Sequence, residues 1–450
     1  MISAIIMAAG KGTRMNSDQP KVLHKLLGKT MIDYTVDKLK EIGVDNIVAV
    51  VGYQREEIMK HLDNKIDFAI QDPQLGTGHA VSCASQLKDK TGSTLIVNGD
   101  CPLITIDTYQ KLLTANKQYP LVVLTTLMDD AGSYGRVIRN KDDEVIKIVE
   151  YKDCNLLEKE VKEINAGIYC VDNQLLWQYL PLLKNNNAQK EYYITDLIDL
   201  FNSNGLKVGA IIGDQDELQG INNRQQLAQA TKWLKNKVNN DLMQQGVSIV
   251  DPDNTYISAD ACIGKDSIVY PNVTIEGKCI IGERNIIEAG SYLKDVNIAN
   301  DNVIKSSRIT DSTMGSNNTL GPNSHLRNQC VIENNTRIGN FVEMKNVHFG
   351  SGSKCAHLTY VGDANVGENC NFGCGVVTVN YDGKNKFHTE IGNHVFIGSN
   401  VNIIAPVTIS DNVVLAAGST ITEDVAEGDM AIARSRQEVI KGYGKKYLDK

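Results

Sequence analysis

The sequence predicts an α/β chain: an amino-terminal domain built on a mainly parallel, doubly wound sheet, followed by a carboxy-terminal β-helix of hexapeptide repeats. Alternating strand-like and helix-like segments predict the first part. Apolar residues returning at every sixth position predict the second. A glycine-rich turn directly after the first strand-like run suggests where the first part holds a ligand.

The sixfold step is written in three runs. Ile257, Ile263, Val269, Ile275, Ile281, Ile287 and Leu293 form one, and Met314, Leu320, Leu326, Ile332, Ile338 and Met344 a second. Ile391, Ile397, Ile403, Ile409, Leu415 and Ile421 form the third. Neither a helix nor a single strand has that period. Each hexad therefore reads as one short strand and a turn, with the aliphatic side chain pointing down the axis. Three hexads close a coil, and stacking buries what a lone coil leaves exposed. Gly264, Gly282, Gly339, Gly392 and Gly398 follow the aliphatic residue where the chain turns. The step breaks between Thr378 and Glu390, which predicts a loop thrown out from the rod.

Composition narrows the function classes. A formal net charge of −8 without a basic cluster argues against nucleic acid or an anionic membrane as the main partner. The 10 cysteines form no CxxC pair, so buried thiols in a reducing compartment are a better account than a zinc ribbon or a disulfide framework. His348, Cys355, His357, Cys370 and Cys374 invite a metal reading that this account of the thiols outweighs. The apolar start, Ile2 to Ala9, is short for a signal segment and lacks a basic flank, and no run has the length of a membrane span. A cytoplasmic protein is expected.

In chain order, a strand over 3–8 runs into Ala9-Gly10-Lys11-Gly12-Thr13-Arg14-Met15. The spacing is that of neither a Walker A loop nor a dinucleotide fingerprint. Backbone N–H groups beside Arg14 and Lys21 still suit phosphate. Helices near 31–42 and 56–62 alternate with strands at 46–51, 66–70 and 94–97. Ligands gather at the carboxyl ends of such strands, which selects the Gly10 loop, Gln71 to His79, and Asn98-Gly99-Asp100. Asp100 suits a divalent cation or the cap of a following helix, and Asn222 suits a site or an N-cap. Tyr134-Gly135-Arg136, Val149-Glu150 and Asn165-Ala166-Gly167 are polar or glycine interruptions beside strands. Leu227, Ala230, Leu234, Val238 and Leu242 keep helical spacing up to Gly246. The expected domains are 1–223, a helical linker 224–246, and a repeat domain 247–450.

Ala8 to Met15, Pro20-Lys21, Gln74-Leu75-Gly76-Thr77-Gly78-His79-Ala80 and Gly99-Asp100 together resemble the sugar-1-phosphate nucleotidyltransferases. The array adds Gly339 to Lys345, His357-Leu358-Thr359-Tyr360 and Asn380-Tyr381-Asp382-Gly383. With these the whole chain resembles the bacterial bifunctional N-acetylglucosamine-1-phosphate uridyltransferase and glucosamine-1-phosphate acetyltransferase family. That resemblance implies a Rossmann-like domain and a left-handed parallel β-helix, a homotrimer, and small-molecule substrates that feed cell-wall precursor synthesis.

For uridyl transfer the resemblance implies Met7, Ala8, Ala9, Gly10, Arg14 and Lys21 around the UTP phosphates, and Gln71, Gly76 and Thr77 around uracil. It implies Mg²⁺ on Asp100 and Asn222, the sugar against Gly135, Glu150 and Asn165, and Asn98 and Gly99 beside them. Asn98 stands where the family often has tyrosine.

For acetyl transfer the family's phosphate-binding pair falls on Arg327 and Lys345 and its general base on His357. Tyr360, Asn371, Asn380 and Tyr381 fall on the acceptor pocket, and Asn380 and Tyr381 also count among the acetyl-CoA residues. Ser399, Ala417 and Arg434 fall on the acetyl-CoA side, together with Cys374, where alanine is common. Glu343 is expected to orient or charge-stabilise His357, and Asn328-Gln329 replaces a usual Pro-Gly. Lys441, Lys445, Lys446 and Lys450 make a basic tail, either a contact for CoA phosphates or a solvated end. A non-catalytic rod, or a nucleotide-sensing subunit without turnover, are the readings to be tested against these.

Overall fold

The computed structural model describes residues 1–448 and divides into two compact units, Met1–Leu234 and Lys235–Lys450. The division falls inside a helix, Arg224–Gln244. Its apolar stripe buries Ala230, Leu234 and Leu242, and Gly246, at φ 95°, ends it in the left-handed region that favours glycine.

The amino-terminal unit holds a nine-stranded sheet. Its strands are β1 (Ile2–Ala8), β2 (Asn46–Val51), β3 (Asp67–Ile70), β4 (Ser93–Asn98), β5 (Leu121–Leu127), β6 (Arg136–Arg139), β7 (Val145–Val149), β8 (Glu163–Asp172) and β9 (Val208–Ile212). The main order is β9-β5-β8-β4-β1-β2-β3, with β6 against β8 and β7 against β6. Strands β3, β2, β1 and β4 are mutually parallel, as are β9 and β5. The long β8 runs antiparallel between β4 and β5, a departure from an all-parallel sheet, and its pairing with β5 shifts between Asn165 and Tyr169. That irregularity frees the polar groups of 165–167 from a regular ladder.

Helix Met31–Glu41 starts where the Thr30 hydroxyl accepts from Asp33 N, and helix Ile106–Ala115 where Thr105 accepts from Thr108 N. Asp100 therefore does not cap the helix that follows Pro102. The apolar side chains of β1, β2 and β4 alternate between two core clusters, one on each face of the sheet. Such double cover is why these strands read as nearly unbroken apolar runs.

The carboxy-terminal unit is a stack of parallel coils whose short strands pair from one turn to the next over 26 strands. Ile257 pairs with Ile275 and Ile275 with Leu293, and the whole aliphatic column is buried. Each coil buries its apolar residues against the coils above and below, so the core is continuous along the stack. Between the first two sequence runs the column continues through Ile298, Ile304 and Ile309 on shortened sides: Ile281 pairs with Ile298, and Leu293 with Ile309. Two long strands, Arg337–Phe349 and Lys354–Val366, follow the corners of adjacent coils without interruption. The 380–388 segment leaves the stack as a small hairpin, with Tyr381 bridged to Lys386 and Asn380 O accepting from Phe387 N.

Candidate functional sites

The first site lies at the carboxyl ends of β1, β3 and β4. A cleft there is lined by Met7, Ala8, Ala9, Gly10, Lys21, Gln71, Gly76, Thr77, Asn98 and Asp100. The glycine-rich turn is shaped by Gly12 at φ 59°, where an added Cβ would stand 2.7 Å from Lys21 Cβ. Gly12 thus lets the chain fold back over Lys21. Gln71, buried under the loop, donates from Nε2 to Gly76 O at 2.9 Å and meets His79 Nδ1 at 3.2 Å. Gly76, at φ 105°, packs so closely on segment 191–192 that a Cβ would meet Tyr192 O at 2.6 Å. Gly78 N donates to Tyr192 O at 2.7 Å, and Thr77 Oγ1 accepts from Ile194 N at 3.0 Å. These bonds hold the 76–78 backbone at the edge of the cleft.

At the floor, Lys21 Nζ donates to Asp100 Oδ2 and, at 3.0 Å, to Asn222 Oδ1. Arg14 Nη2 donates to the same Asn222 oxygen at 2.9 Å. The side chains of Lys21 and Asp100 are 16% and 19% exposed, so the ion pair is recessed yet open to a ligand. Asp100 O accepts from Ile221 N at 3.0 Å, which brings Asn222 to the end of β4. Asn223, not Asn222, caps the long helix by accepting from Gln226 N at 2.8 Å. The Asn222 side chain is thereby left for the site.

Gly135, Glu150 and Asn165 form a second group. Asn165 N donates to Gly135 O at 2.9 Å, and a Cβ on Gly135 would lie 3.5 Å from the Glu150 carboxylate. Burial pushes the Glu150 carboxyl up, with Asp153 and Asp196 adding to it. Asn165 Oδ1 accepts from Gly167 N at 2.9 Å, while Gly167 O accepts from Asn98 Nδ2 at 3.2 Å. That chain of bonds links the group to the cleft. Gly99 sits beneath it, donating to Met7 O at 3.1 Å.

Two polar residues that line the cleft, Gln74 and Glu191, are not among the site residues expected from the sequence. Gln74 Nε2 donates to Ala9 O at 2.6 Å and so ties the base-side loop to the phosphate-side loop. It lay inside a motif that drew attention for its glycines. Glu191 has no local signal, since only folding brings its segment to Gly76.

The second site lies along the rod. Arg327 donates from Nε and Nη2 to Glu343 Oε1, at 2.9 and 2.6 Å. Lys345 Nζ donates to Asp363 at 3.0 and 3.2 Å. Tyr360 Oη lies 3.5 Å from Asn380 Nδ2. His357 is exposed and stands in register with Asn340. Among the described residues no hydrogen bond joins Glu343 to His357: that carboxylate is engaged by Arg327, which corrects the expected His357–Glu343 pairing. Cys355 pairs with Phe372, Tyr360 with Val377, and Phe372 with Ile397. Those registers place His357, Cys374, Ser399 and Ala417 at equivalent corner positions of successive coils, all exposed. Arg434 Cδ would lie 3.9 Å from a Cβ at Gly418, at the end of that column. Asn371 lies three places before Cys374, on the face that enters the corner, and Tyr381 is exposed on the hairpin.

The replacements after Arg327 keep a tight turn, Asn328 and Gln329 both having positive φ, at 57° and 63°. Cys355 and Cys370 are buried, whereas Cys374 is exposed, and His348 pairs with Glu333 at 2.9 Å. Lys441, Lys445 and Lys446 are exposed, and Lys450 lies outside the described residues. No helix among the described residues is long and apolar enough to cross a membrane.

Comparison with known proteins agrees with both halves. Residues 4–138 match the family described as MobA-like NTP transferase domain, and 260–295, 311–346 and 388–423 match the bacterial transferase hexapeptide family. The chain is 46% identical over 444 residues to the bifunctional protein GlmU of Clostridium beijerinckii, covering 98% of this chain and 97% of that protein. It is 47% identical over 453 residues to the GlmU of Clostridium novyi, covering 100% and 99%. The chain belongs to the bifunctional GlmU family. The GlmU of an Exiguobacterium species is 46% identical over 447 residues, covering 98% and 99%. Such coverage spans the cleft and the rod alike, so the chain is an enzyme carrying both the nucleotidyltransferase and the hexapeptide-transferase halves.

Proposed function

We propose that the amino-terminal cleft transfers uridylate from UTP to N-acetylglucosamine-1-phosphate, and that the rod first makes this acceptor by acetylating glucosamine-1-phosphate from acetyl-CoA. The carrying observation is the convergence of Lys21, Asp100 and Asn222, with Lys21 and Asn222 201 positions apart, on one ammonium at the floor of a backbone-lined cleft. A phosphate oxygen of the sugar phosphate attacks the α-phosphorus of UTP, and pyrophosphate leaves. Two anions must be brought together, which is a task for positioning and fixed positive charge. Arg14 and Lys21 supply that charge, the N–H-rich turn holds the phosphates, and the Gln71–Thr77 loop takes the base. Gly135, Glu150 and Asn165 take the sugar.

The donor set at the floor suits Mg²⁺. Asp100 and Asn222 offer hard oxygens, and the Lys21 ammonium lies between them as a stand-in cation. Mg²⁺ held by those oxygens and by substrate phosphates would neutralise charge on the leaving pyrophosphate.

On the rod, the amine of glucosamine-1-phosphate attacks the thioester carbonyl and the CoA thiolate leaves. His357 takes the proton of the amine, a task suited to an imidazole near neutral pH. Arg327 and Lys345 hold the sugar phosphate, with Tyr360, Asn371, Asn380 and Tyr381 around the acceptor. Cys374, Ser399, Ala417 and Arg434 bound the acetyl-CoA side, and a homotrimer supplies the facing wall. The protein works in the cytoplasm on these small molecules, with no nucleic acid or membrane partner.

The test supplies purified protein with Mg²⁺, glucosamine-1-phosphate, acetyl-CoA and UTP, and follows free thiol and pyrophosphate separately. Both products are expected, with pyrophosphate depending on prior acetylation. Pyrophosphate formed only from added N-acetylglucosamine-1-phosphate, without thiol release, would make the rod a scaffold.

A further inference from the structure

One carboxylate on the rod gathers several of the groups just assigned to the acceptor pocket. Asp363, 8% exposed, lies in the long strand Lys354–Val366. It accepts from Lys345 Nζ at 3.0 and 3.2 Å, from Asn346 Nδ2 at 2.9 Å, and from Asn380 Nδ2. Asn380 in turn lies 3.5 Å from Tyr360 Oη. Burial alone would push the Asp363 carboxyl up; hydrogen bonds from Asn346, Lys345 and Asn380 outweigh it and hold the carboxyl below its usual range. The exposed Lys386, on the hairpin, is held below the usual lysine range by the neighbouring Lys345. Asp363 is the anion beside these two cations.

Two effects of this carboxylate on a sugar phosphate oppose each other. Its charge repels the phosphate, so by that effect alone neutralising it would tighten binding. Its hydrogen bonds fix a lysine and an asparagine that otherwise have many rotamers, so by that effect neutralising it would weaken binding. The geometry decides between them. Lys345 and Asp363 side chains are each 11% exposed, and breaking such a recessed pair leaves an ammonium that must find another partner. An amide at 363 would offer one accepting oxygen in place of two, so Asn346 and Asn380 could not both keep the bonds that determine which way their amides point.

Resting on the acceptor-pocket reading above, we propose that Asp363 is a positioning residue for acetyl transfer. It orients Lys345 and Asn380 and thereby sets the affinity for glucosamine-1-phosphate without contacting it.

The experiment uses the full-length enzyme and the Asp363→Asn variant, with steady-state kinetics of both reactions and calorimetric titration of glucosamine-1-phosphate. KM and Kd for that sugar should rise about tenfold, with kcat within about twofold, as for lost ground-state orientation. Uridyl transfer, whose residues lie in the other unit, should not change. Unchanged or tighter binding overturns the proposal. In a Lys345→Met background Asp363→Asn should add clearly less than it costs alone, the remainder acting through Asn380, and a full additional loss would show that it does not act through Lys345. If Asp363→Asn fails to fold, Asn346→Gly removes one of the donors that fix Asp363, at a position whose φ of 52° suits glycine. A rise in KM for glucosamine-1-phosphate alone is then expected, and no rise overturns the proposal. Failure of the pocket reading looks different: the wild-type enzyme would then not bind the sugar phosphate, or Lys345→Met would leave its affinity unchanged.

Discussion

The two proposed sites are built in opposite ways. In the amino-terminal unit, strand ends and loops converge, and Lys21, Asp100, Gln71 and Gly76 line one recess within a single chain. On the rod, His357, Cys374, Ser399, Ala417 and Arg434 stand exposed along an outer corner. A sheet can close a ligand between its own loops, because strands distant in sequence end side by side. A plain coil of a solenoid cannot, because each coil touches only the coils above and below it; beyond the 380–388 hairpin, a second wall for the outer groove comes from another chain. This contrast is our reason for proposing that a homotrimer completes the acetyl-transfer site.

The largest effect expected is from His357→Ala. Acetyl transfer should fall by about 10³-fold, the range of a lost general base, with uridyl transfer intact, as read by thiol release and pyrophosphate release. Loss of both together would mean that the rod's part is structural.

Dilution addresses the contrast directly. If the rod site needs a neighbour, acetyl transfer per chain should fall as the oligomer dissociates while uridyl transfer per chain holds, with sedimentation reporting the species. Constant specific activity of both reactions in a demonstrated monomer would refute the shared-site reading.

A smaller effect is expected at Gly76, where φ is 105° and a Cβ would meet Tyr192 O at 2.6 Å. Gly76→Ala should cost about 2 kcal/mol in backbone strain and raise KM for UTP, with little change in acetyl transfer. Thermal unfolding and the two assays measure it.

The smallest concerns Asp196, whose carboxyl is pushed up to about 6 by burial, with Asp199 and Asp153 adding to the effect. A carboxyl raised in the fold binds its proton more tightly there than in the unfolded chain. Stability is therefore lost as pH rises from the ordinary carboxylate range through about 6. Asp196→Asn should remove that loss, a gain of about 1 kcal/mol near pH 7 for a partly exposed group and none near pH 4. Thermal melts at the two pH values compare them, and an equal shift at both would point to packing instead.

Much of this was legible before folding, for reasons local to the chain. A sixfold aliphatic step leaves stacking as the way to bury its column, and Ile257 through Ile421 are buried as that requires. A buried strand ending in Gly10-Lys11-Gly12 implies N–H groups and cations at a strand end, and Lys21 is there. Where the periodicity lapsed, at Ile298, Ile304 and Ile309, the coil sides are shorter while the pairing persists. Period alone could not see that, because a shortened side keeps its inward residue but moves it in sequence.

Contacts between distant segments were decided only by the tertiary structure. Local spacing offers Asp100 and Asn222 as caps or ligands alike. The choice came when Thr105 and Asn223 took the caps, and when Ile221 N bonded to Asp100 O. Residue type suggested that Glu343 serves His357, yet the coil register gives it to Arg327. The alignment of His357, Cys374, Ser399 and Ala417 likewise depends on coil offsets, which change where the hairpin 380–388 leaves the stack. The sequence by itself determined which side chains are buried and where the turns lie, since both follow from neighbouring residues and water. Which polar group meets which was decided by tertiary structure, because hydrogen-bond partners are set by the register of segments far apart in the chain.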